Sequence, residues 1–306
     1  RDEDFLEYIV AATNHQYMLF FTEKGKCFWL RVFEIPEGSK TAKGRAVQNL
    51  INIEPDDKIK AYIRTNDLKD ADYVNKMNVV MITKNGTIKK TSLEAYSRPR
   101  TNGVNAIEIR DNDQLLGARL TSGDSEIMIA TKNGKCIRFP EEKARAVGRG
   151  SIGVRGISLE DNDEVIGMIV VNDVHNETVL VVSEKGYGKR TAVEDYRVTN
   201  RGGKGVITLN ITEKTGNLIA IQNVTDEDGL MIINKSGVAI RMGMDEMRVM
   251  GRNTQGVKVI NLKNNDSIAA IAKVEMDKDV EEEEENTQEP LPGAVESALP
   301  EFSDVP

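Results

Sequence analysis

The sequence predicts an all-β fold of small blades arranged round an axis, and three observations predict it. One hairpin unit recurs five times, as Y-M-L-F-F-T-E-K-G-K-C, V-V-M-I-T-K-N-G-T-I, I-M-I-A-T-K-N-G-K-C, V-L-V-V-S-E-K-G-Y-G and L-M-I-I-N-K-S-G-V-A. Its glycines, Gly25, Gly86, Gly134, Gly186 and Gly237, stand 61, 48, 52 and 51 residues apart, a period that belongs to repeat architectures. Apolar runs of strand length are frequent, and long stretches of helical period are absent. Repeats of this size carry about four strands each and bury their faces only against their neighbours, which gives a closed or spiral disc.

Each hairpin joins an almost wholly apolar run to a second strand through a polar turn ending in glycine, where a positive φ costs little. Runs of that kind belong to strands covered on both faces. After the hairpin comes a polar connection, then Gly44, Gly103, Gly153, Gly205 or Gly256, each opening a β-patterned run such as G-V-N-A-I-E-I or G-V-R-G-I-S-L. A turn around Asp57, Asp113, Asp163, Gly216 or Asp266 leads to a last apolar strand, for example E-V-I-G-M-I-V-V. The longer first interval is assigned to an insertion near residues 66–73, and Thr91 with Glu94 and Thr191 with Glu194 read as caps of single turns. The expected architecture is five complete four-stranded blades over residues 1–274, with a leftover strand at residues 5–13 belonging to a partial first blade.

Charge limits what such a disc can serve. Lysine and arginine total 41 against 49 acidic residues, a net of −8, which taken alone argues against a polyanion partner. The distribution reverses the argument: residues 275–306 hold 12 acidic residues and one basic, so residues 1–274 carry 40 basic against 37 acidic, a net of +3. A slightly basic body with an acidic tail points to nucleic-acid work. No apolar run approaches the ~20 residues of a membrane helix, and R-D-E-D-F-L-E lacks a signal-peptide pattern, so a cytoplasmic setting without membrane contact is expected. A start at Arg1 rather than methionine reads as a piece of a longer protein. Cys27 and Cys136 occupy equivalent places in the first and third repeats and are expected far apart, as buried free thiols. His15 and His175 have no ligand partners at metal spacing, and neither metal nor cofactor is assigned to the chain.

The most informative stretch is D-Y-R-V-T-N-R-G-G-K-G-V-I-T-L at residues 195–209, where Arg197, Arg201 and Lys204 are held by Gly202, Gly203 and Gly205. A glycine-rich basic loop before a strand suits backbone pressed against phosphates. The loop is one copy of a repeat: four residues before the loop glycine stand Lys40, Arg149, Arg201 and Arg252, and the second copy has Pro99 between Arg98 and Arg100. Lys43, Arg45, Arg145, Arg155 and Arg248 complete the candidate set on these loops. A cation at one place on every repeat describes a surface rather than a pocket. Phosphate contacts spaced along a curved path bind DNA without reading bases. A second recurrent position, Lys90, Arg138, Arg190 and Arg241, four residues after the hairpin glycine, is Trp29 in the first unit; it either widens the track or makes salt bridges between blades.

The K-N-G and E-K-G hairpins, the G-V-x-x-I-x-L run, G-Y-G-K-R-T-A-V-E-D-Y and M-G-R-N-T-Q-G-V resemble the C-terminal domain of the DNA gyrase A subunit over about residues 4–274. The resemblance implies a β-pinwheel, a propeller-like disc that wraps double-stranded DNA round its rim and presents a segment to the strand-passage core for ATP-dependent negative supercoiling. It implies two partners in an A2B2 assembly, the rest of the gyrase A subunit together with the gyrase B subunit, while ATP and magnesium act elsewhere. The isolated domain is expected to be a monomer in the bacterial cytoplasm, at the nucleoid. The family's box, Q-R-R-G-G-K-G, lies in its first blade; here the matching heptad, residues 199–205, lies in the fourth repeat and differs at Thr199 and Asn200. R-D-E-D-F-L-E-Y-I-V resembles the segment just after the true box, so most of the first blade is expected upstream of Arg1.

Other features have plainer readings. Tyr96 and Tyr196, ten residues after a hairpin glycine, read as packing residues, since other copies have Ile35, Ala144 and Met247 there. Nothing groups a nucleophile, a base and metal carboxylates as phosphoryl transfer needs, so the chain is not expected to be an enzyme on its own. Glu281 to Glu285 and the prolines beyond them are expected to be disordered, serving solubility or competing with DNA for the basic rim. The equivalent domain of topoisomerase IV and a propeller that docks proteins are the competing readings. The docking module would carry apolar or acidic patches on its faces and no recurring cations on its rim.

Overall fold

The structure, a computed structural model, describes residue 10 and residues 12–39, 43–263 and 265–275. All five hairpins form: Tyr17–Thr22 with Lys26–Arg31, Asn78–Thr83 with Thr87–Ser92, Glu126–Thr131 with Lys135–Pro140, Thr178–Ser183 with Tyr187–Ala192, and Asp228–Asn234 with Ala239–Gly243. A third strand pairs antiparallel with the first strand of each hairpin: Ile59–Thr65, Leu115–Thr121, Val165–Val171, Leu218–Val224 and Ile268–Glu275. These inner strands pack side by side in chain order and line a central channel of about 390 Å³. The aspartate-centred turns fasten the hairpins, since the Oδ1 atoms of Asp57, Asp113 and Asp163 accept from the N–H groups of Lys24, Asn85 and Asn133 at 3.0–3.1 Å.

The fourth strand of a sheet comes from the next repeat. Val104–Asn105, Val154–Arg155, Val206–Ile207 and Val257–Lys258 each add to the outer strand of the preceding hairpin. Four sheets thus have four strands, whereas the fifth has three among the described residues. The difference from five complete blades follows from the exchange, because a sheet is completed only by the repeat after it. At the edge of Ala239–Gly243, Val238 and Ile240 are exposed, and a Cβ on Gly237 would meet nothing within 4 Å. By the same rule the run after Gly44 has no preceding sheet to join among the described residues. It forms a 3-10 turn at Val47–Asn49, and Ile51 and Ile53 pack on the outer face of the first sheet. Of the leftover strand expected at residues 5–13, all but Val10, Ala12 and Thr13 lies outside the described residues, and those three are in no strand. The acidic tail beyond residue 275 also lies outside them.

The insertion ends in the single α-helix among the described residues, Ala71–Lys76, whose first N–H groups bond the Asp70 carboxylate. The caps expected at Thr91 and Thr191 lie one residue later. The 3-10 turns begin at Leu93 and Val193, which makes Ser92 and Ala192 the N-caps, and the two threonines are fully buried strand residues.

The core lies between sheets. Val79 and Met81 pack with Phe21 and Leu19 of the first sheet, whereas Val80 and Ile82 pack with Ile127 and Ile129 of the third. The same alternation joins the third sheet to the fourth and the fourth to the fifth. Side chains on a strand point alternately to its two faces, so a strand between two neighbours has to be apolar throughout. Tyr96 and Tyr196 lie in these layers as packing residues, the Tyr96 hydroxyl donating to the Ala106 carbonyl at 3.0 Å and Tyr196 bonding the Thr208 hydroxyl at 2.5 Å. Cys27 and Cys136 are free and buried, and burial pushes both thiols well up.

Three of the four recurrent strand cations, Lys90, Arg138 and Arg190, are buried struts rather than part of a track, whereas Arg241, on the outer strand of the last hairpin, is exposed. Arg138 pairs with Glu126 at 2.5 Å and donates to the carbonyls of Val193 and Tyr196 in the next repeat. Arg190 pairs with Asp226 at 2.7 Å and donates to the Met244 carbonyl, and Lys90 reaches the Glu141 carbonyl at 3.3 Å. All three lie under the 3-10 turn that follows the next hairpin, so they join blades.

Candidate nucleic-acid interface

The third, fourth and fifth basic loops are clamped on the outer strand of the preceding sheet at both ends, and the second at its exit. On entry, Ala146, Val198 and Val249 bridge in parallel to Lys90, Arg138 and Arg190; on exit, the two-residue strand after the loop glycine runs antiparallel along the same outer strand. The glycine makes the exit possible. Gly153, Gly205 and Gly256 have φ of +104°, +75° and +72°, and a Cβ there would stand 2.5–2.6 Å from a strand carbonyl, Ile88 O, Cys136 O or Gly188 O. No side chain fits so close to backbone.

Successive loops are also bonded to one another. The N–H groups of Glu108, Ser158 and Asn210, each five residues after a loop glycine, donate to the carbonyls of Ser151, Gly203 and Thr254 in the following loop at 2.9–3.2 Å. The arginines at the shared position span the same joints. Arg149 donates to the Asn105 carbonyl at 3.2 Å, Arg201 to the Arg155 carbonyl at 3.1 Å, and Arg252 to the Ile207 carbonyl at 2.6 Å, in each case the second residue after the preceding loop glycine. Arg201 Nε and Arg252 Nε make a second equivalent pair of bonds, to the carbonyls of Lys143 and Asp195. A guanidinium has five donors in a fixed plane, so one edge anchors it to backbone and the remaining N–H groups stay available to an anion.

Arg145, Arg197 and Arg248 form a second row, each eleven residues after its hairpin glycine and each exposed. Arg98, Arg100, Arg155 and Lys204 are exposed as well. Arg98 lies 3.8 Å from Glu94; among the described residues the other cations of this group, with Arg149, Arg201 and Arg252, are in no ion pair. Two grooves cross the rim between loops: one of about 410 Å³ lined by Lys26, Arg100 and Arg149, and one of about 860 Å³ lined by Arg110, Arg155 and Arg201 with Asp111 and Asp113. Gly202, with φ of +84°, donates its N–H to the Gly156 carbonyl at 2.7 Å, and Gly203 rests on Ile137.

The first loop departs from this pattern. Lys40 lies outside the described residues; Lys43, Gly44 and Arg45 are exposed, and a Cβ on Gly44 would meet nothing within 4 Å. Gly44 is therefore not seated on a strand as the later loop glycines are.

Four basic residues at this surface were absent from the sequence-derived set. Lys26 and Arg110 line the grooves, and Lys89 and Lys189 lie buried beneath two of the loops. Lys89 and Lys189 stand where the other repeats have Phe28, Ile137 and Ile240, so a lysine at an apolar position was the signal. Among the described residues no three histidine, cysteine or acidic side chains gather as metal ligands, and no helix is long and apolar enough to cross a membrane.

Recurring cations stand along the rim, where the protein-docking reading expects none. The chain matches the family described as DNA gyrase C-terminal domain, beta-propeller, over residues 16–66, 78–122, 125–172, 177–225 and 230–275. It is 43% identical over 286 residues to the DNA gyrase A subunit of Staphylococcus aureus strain MRSA252, and 42% identical over 288 residues to that of strain NCTC 8325 / PS 47. Each match covers 94% of this chain and 32% of the relative, so the chain spans about a third of the length of these proteins. Its fold superposes on the C-terminal domain of DNA topoisomerase IV with a TM-score of 0.76 and on a DNA gyrase A C-terminal domain with 0.73. Both are 24% identical to it and match over 86% of this chain and 80% and 83% of theirs. The repeat pattern, the exchanged strands and these relatives together place the chain in the family of C-terminal domains of the DNA gyrase A subunit.

Proposed function

We propose that this chain binds double-stranded DNA along its rim and wraps it without reading sequence. The observation that carries the reading is the arginine belt: Arg149, Arg201 and Arg252 each bridge two loops in the same way, so equivalent cations recur at regular steps round a curved edge. DNA bent along such an edge meets one phosphate-binding unit per blade, and phosphate contacts position a duplex without carrying base information. The exposed row Arg145, Arg197 and Arg248 widens that path beside the first.

Within a full-length gyrase A subunit this domain would hold a DNA segment for the strand-passage core, which the rest of that polypeptide forms with the gyrase B subunit in an A2B2 assembly. ATP and magnesium would act in those other parts, and the chain contributes binding and bending rather than chemistry. The test is a bending assay on short duplexes, read by ring closure on ligation. The wild-type chain should accelerate closure on unrelated sequences alike, and Arg149→Glu with Arg252→Glu should abolish the acceleration. Closure unaffected by the chain, or accelerated on one sequence alone, would overturn the reading.

A further inference from the structure

The arginine loops do not all rest on the same floor. Under the loop of Arg201 lies Ile137, and under the second loop lies Phe28. Under the loops of Arg149 and Arg252 lie Lys89 and Lys189, exposed by 1% and 0%. Lys89 Nζ donates to the Ala106 carbonyl at 2.6 Å and to the carbonyl of Arg149 itself. Lys189 Nζ shares its three N–H groups among four oxygens, the carbonyls of Gly251 and Thr254 and the Thr254 hydroxyl, all at 3.1 Å, and the carbonyl of Arg252 itself. Neither ammonium is paired with a carboxylate among the described residues. A buried charge with no counter-ion is costly, and carbonyl oxygens are its compensation here. Over Ile137 the loop is held otherwise, by the Ser158 hydroxyl donating to the Gly202 carbonyl at 2.7 Å.

We propose that Lys89 and Lys189 are positioning residues for DNA binding: each ammonium holds the carbonyls of the loop above it turned inward, and so sets Arg149 and Arg252 outward on the rim. The inference rests on the reading of the rim as a DNA surface. It makes that surface sensitive to pH: a neutral amine has two donors and a lone pair for the four oxygens gathered round Lys189, where an ammonium has three donors, and at Lys89 the two carbonyls lose the charge they face. Burial, and then the charge of the adjacent arginine, hold both lysines down at about 8. The charged or titratable groups round Lys89 and its arginine are Arg149, Tyr96 and Cys27, and those round Lys189 and its arginine are Arg252, Tyr196 and Cys136. Burial pushes the tyrosines and cysteines up and out of the range. DNA phosphates over the loop favour the protonated lysine, so binding takes up protons above the free value and affinity falls as pH rises past it.

The experiment is a titration of a short duplex at fixed ionic strength from pH 6.5 to 9.5. Wild-type affinity should fall about tenfold or more across the upper part of this range. Lys89→Met with Lys189→Met should bind more weakly at pH 7 and lose most of that dependence. Arg201→Glu, whose loop sits on Ile137, should bind more weakly and keep the dependence. A wild-type chain that binds DNA with a flat profile, or a double variant that retains the slope, overturns the inference while leaving the DNA reading in place; a chain that does not bind DNA at any pH overturns both. Should the double variant fail to fold, NMR of ¹³Cε-labelled lysine in the wild type decides: both lysines should titrate near 8 in the free chain and higher with DNA bound, and unchanged values would overturn the inference.

Discussion

The indole N–H of Trp29 donates to the main-chain carbonyl of Tyr96 at 2.9 Å, at the repeat position where Arg138 donates to the carbonyl of Tyr196 at 2.8 Å. Tryptophan thus replaces a guanidinium by offering one N–H at the same joint between blades. Trp29→Phe should cost about 1–2 kcal/mol, the penalty for one buried carbonyl left without its donor. Arg138→Met should cost about 3 kcal/mol or more, since it strands Glu126 and two carbonyls. Denaturant unfolding would measure both, and neither should change the salt dependence of DNA binding, because neither side chain reaches the rim.

The loop glycines divide by what surrounds them. Gly205→Ala puts a Cβ 2.6 Å from the Cys136 carbonyl at a φ of +75°, and should destabilise by about 2–3 kcal/mol while weakening DNA binding as the loop lifts from its strand. Gly237→Ala has a similar φ of +83° but open space, and should cost about 1 kcal/mol with no effect on DNA. Equal losses in the two variants would show that backbone strain alone, rather than the approach to the strand, sets the requirement.

Salt titration separates the rim cations from the struts. Each phosphate contact contributes about 0.9 to the slope of log affinity against log salt. Arg201→Ala and Lys204→Ala should each lower the slope by about one and weaken binding equally on unrelated duplexes. A loss confined to one sequence would mean base readout.

Stability should respond to pH in the opposite sense from DNA affinity. Lys89 and Lys189 are held down at about 8 from an ordinary 10.5, so between these values the unfolded chain binds more protons than the folded one. The stabilising contribution is present above 10.5 and is lost as pH falls through 8. Relative to Lys89→Met with Lys189→Met, the wild type should gain on the order of 2 kcal/mol per lysine on going from pH 8 to 10.5, read as the difference in unfolding free energy between the two chains.

Cys27 and Cys136 are fully buried and their thiols are pushed well up. The native chain should therefore resist a thiol reagent at pH 8 and release two equivalents only on unfolding. Fast reaction of either in the native state would show that the sheet-to-sheet layers open.

The sequence by itself determined the repeat, the five hairpins, the apolar layers between sheets and the three arginines at one repeat position. These follow from short-range causes: a glycine that takes a positive φ in a turn, and strands apolar on both faces because both are covered. Only the tertiary structure decided which sheet each short strand after a loop glycine joins. Val104–Asn105 and its counterparts are two residues long, too short for any local preference, and the open edge of the preceding hairpin selects them. It also separated cations that look alike in sequence. Arg138 and Arg201 differ in fate because carbonyls of the next repeat converge on the first, whereas the second lies across two loops at the surface. Gly44 matches the other loop glycines by position, yet without a preceding sheet to receive its strand it has nothing to sit on. Lys89 and Lys189 show the same limit, for a lysine among apolar strand positions marks an anomaly, and only the loop folded over it supplies the carbonyls that hold its charge.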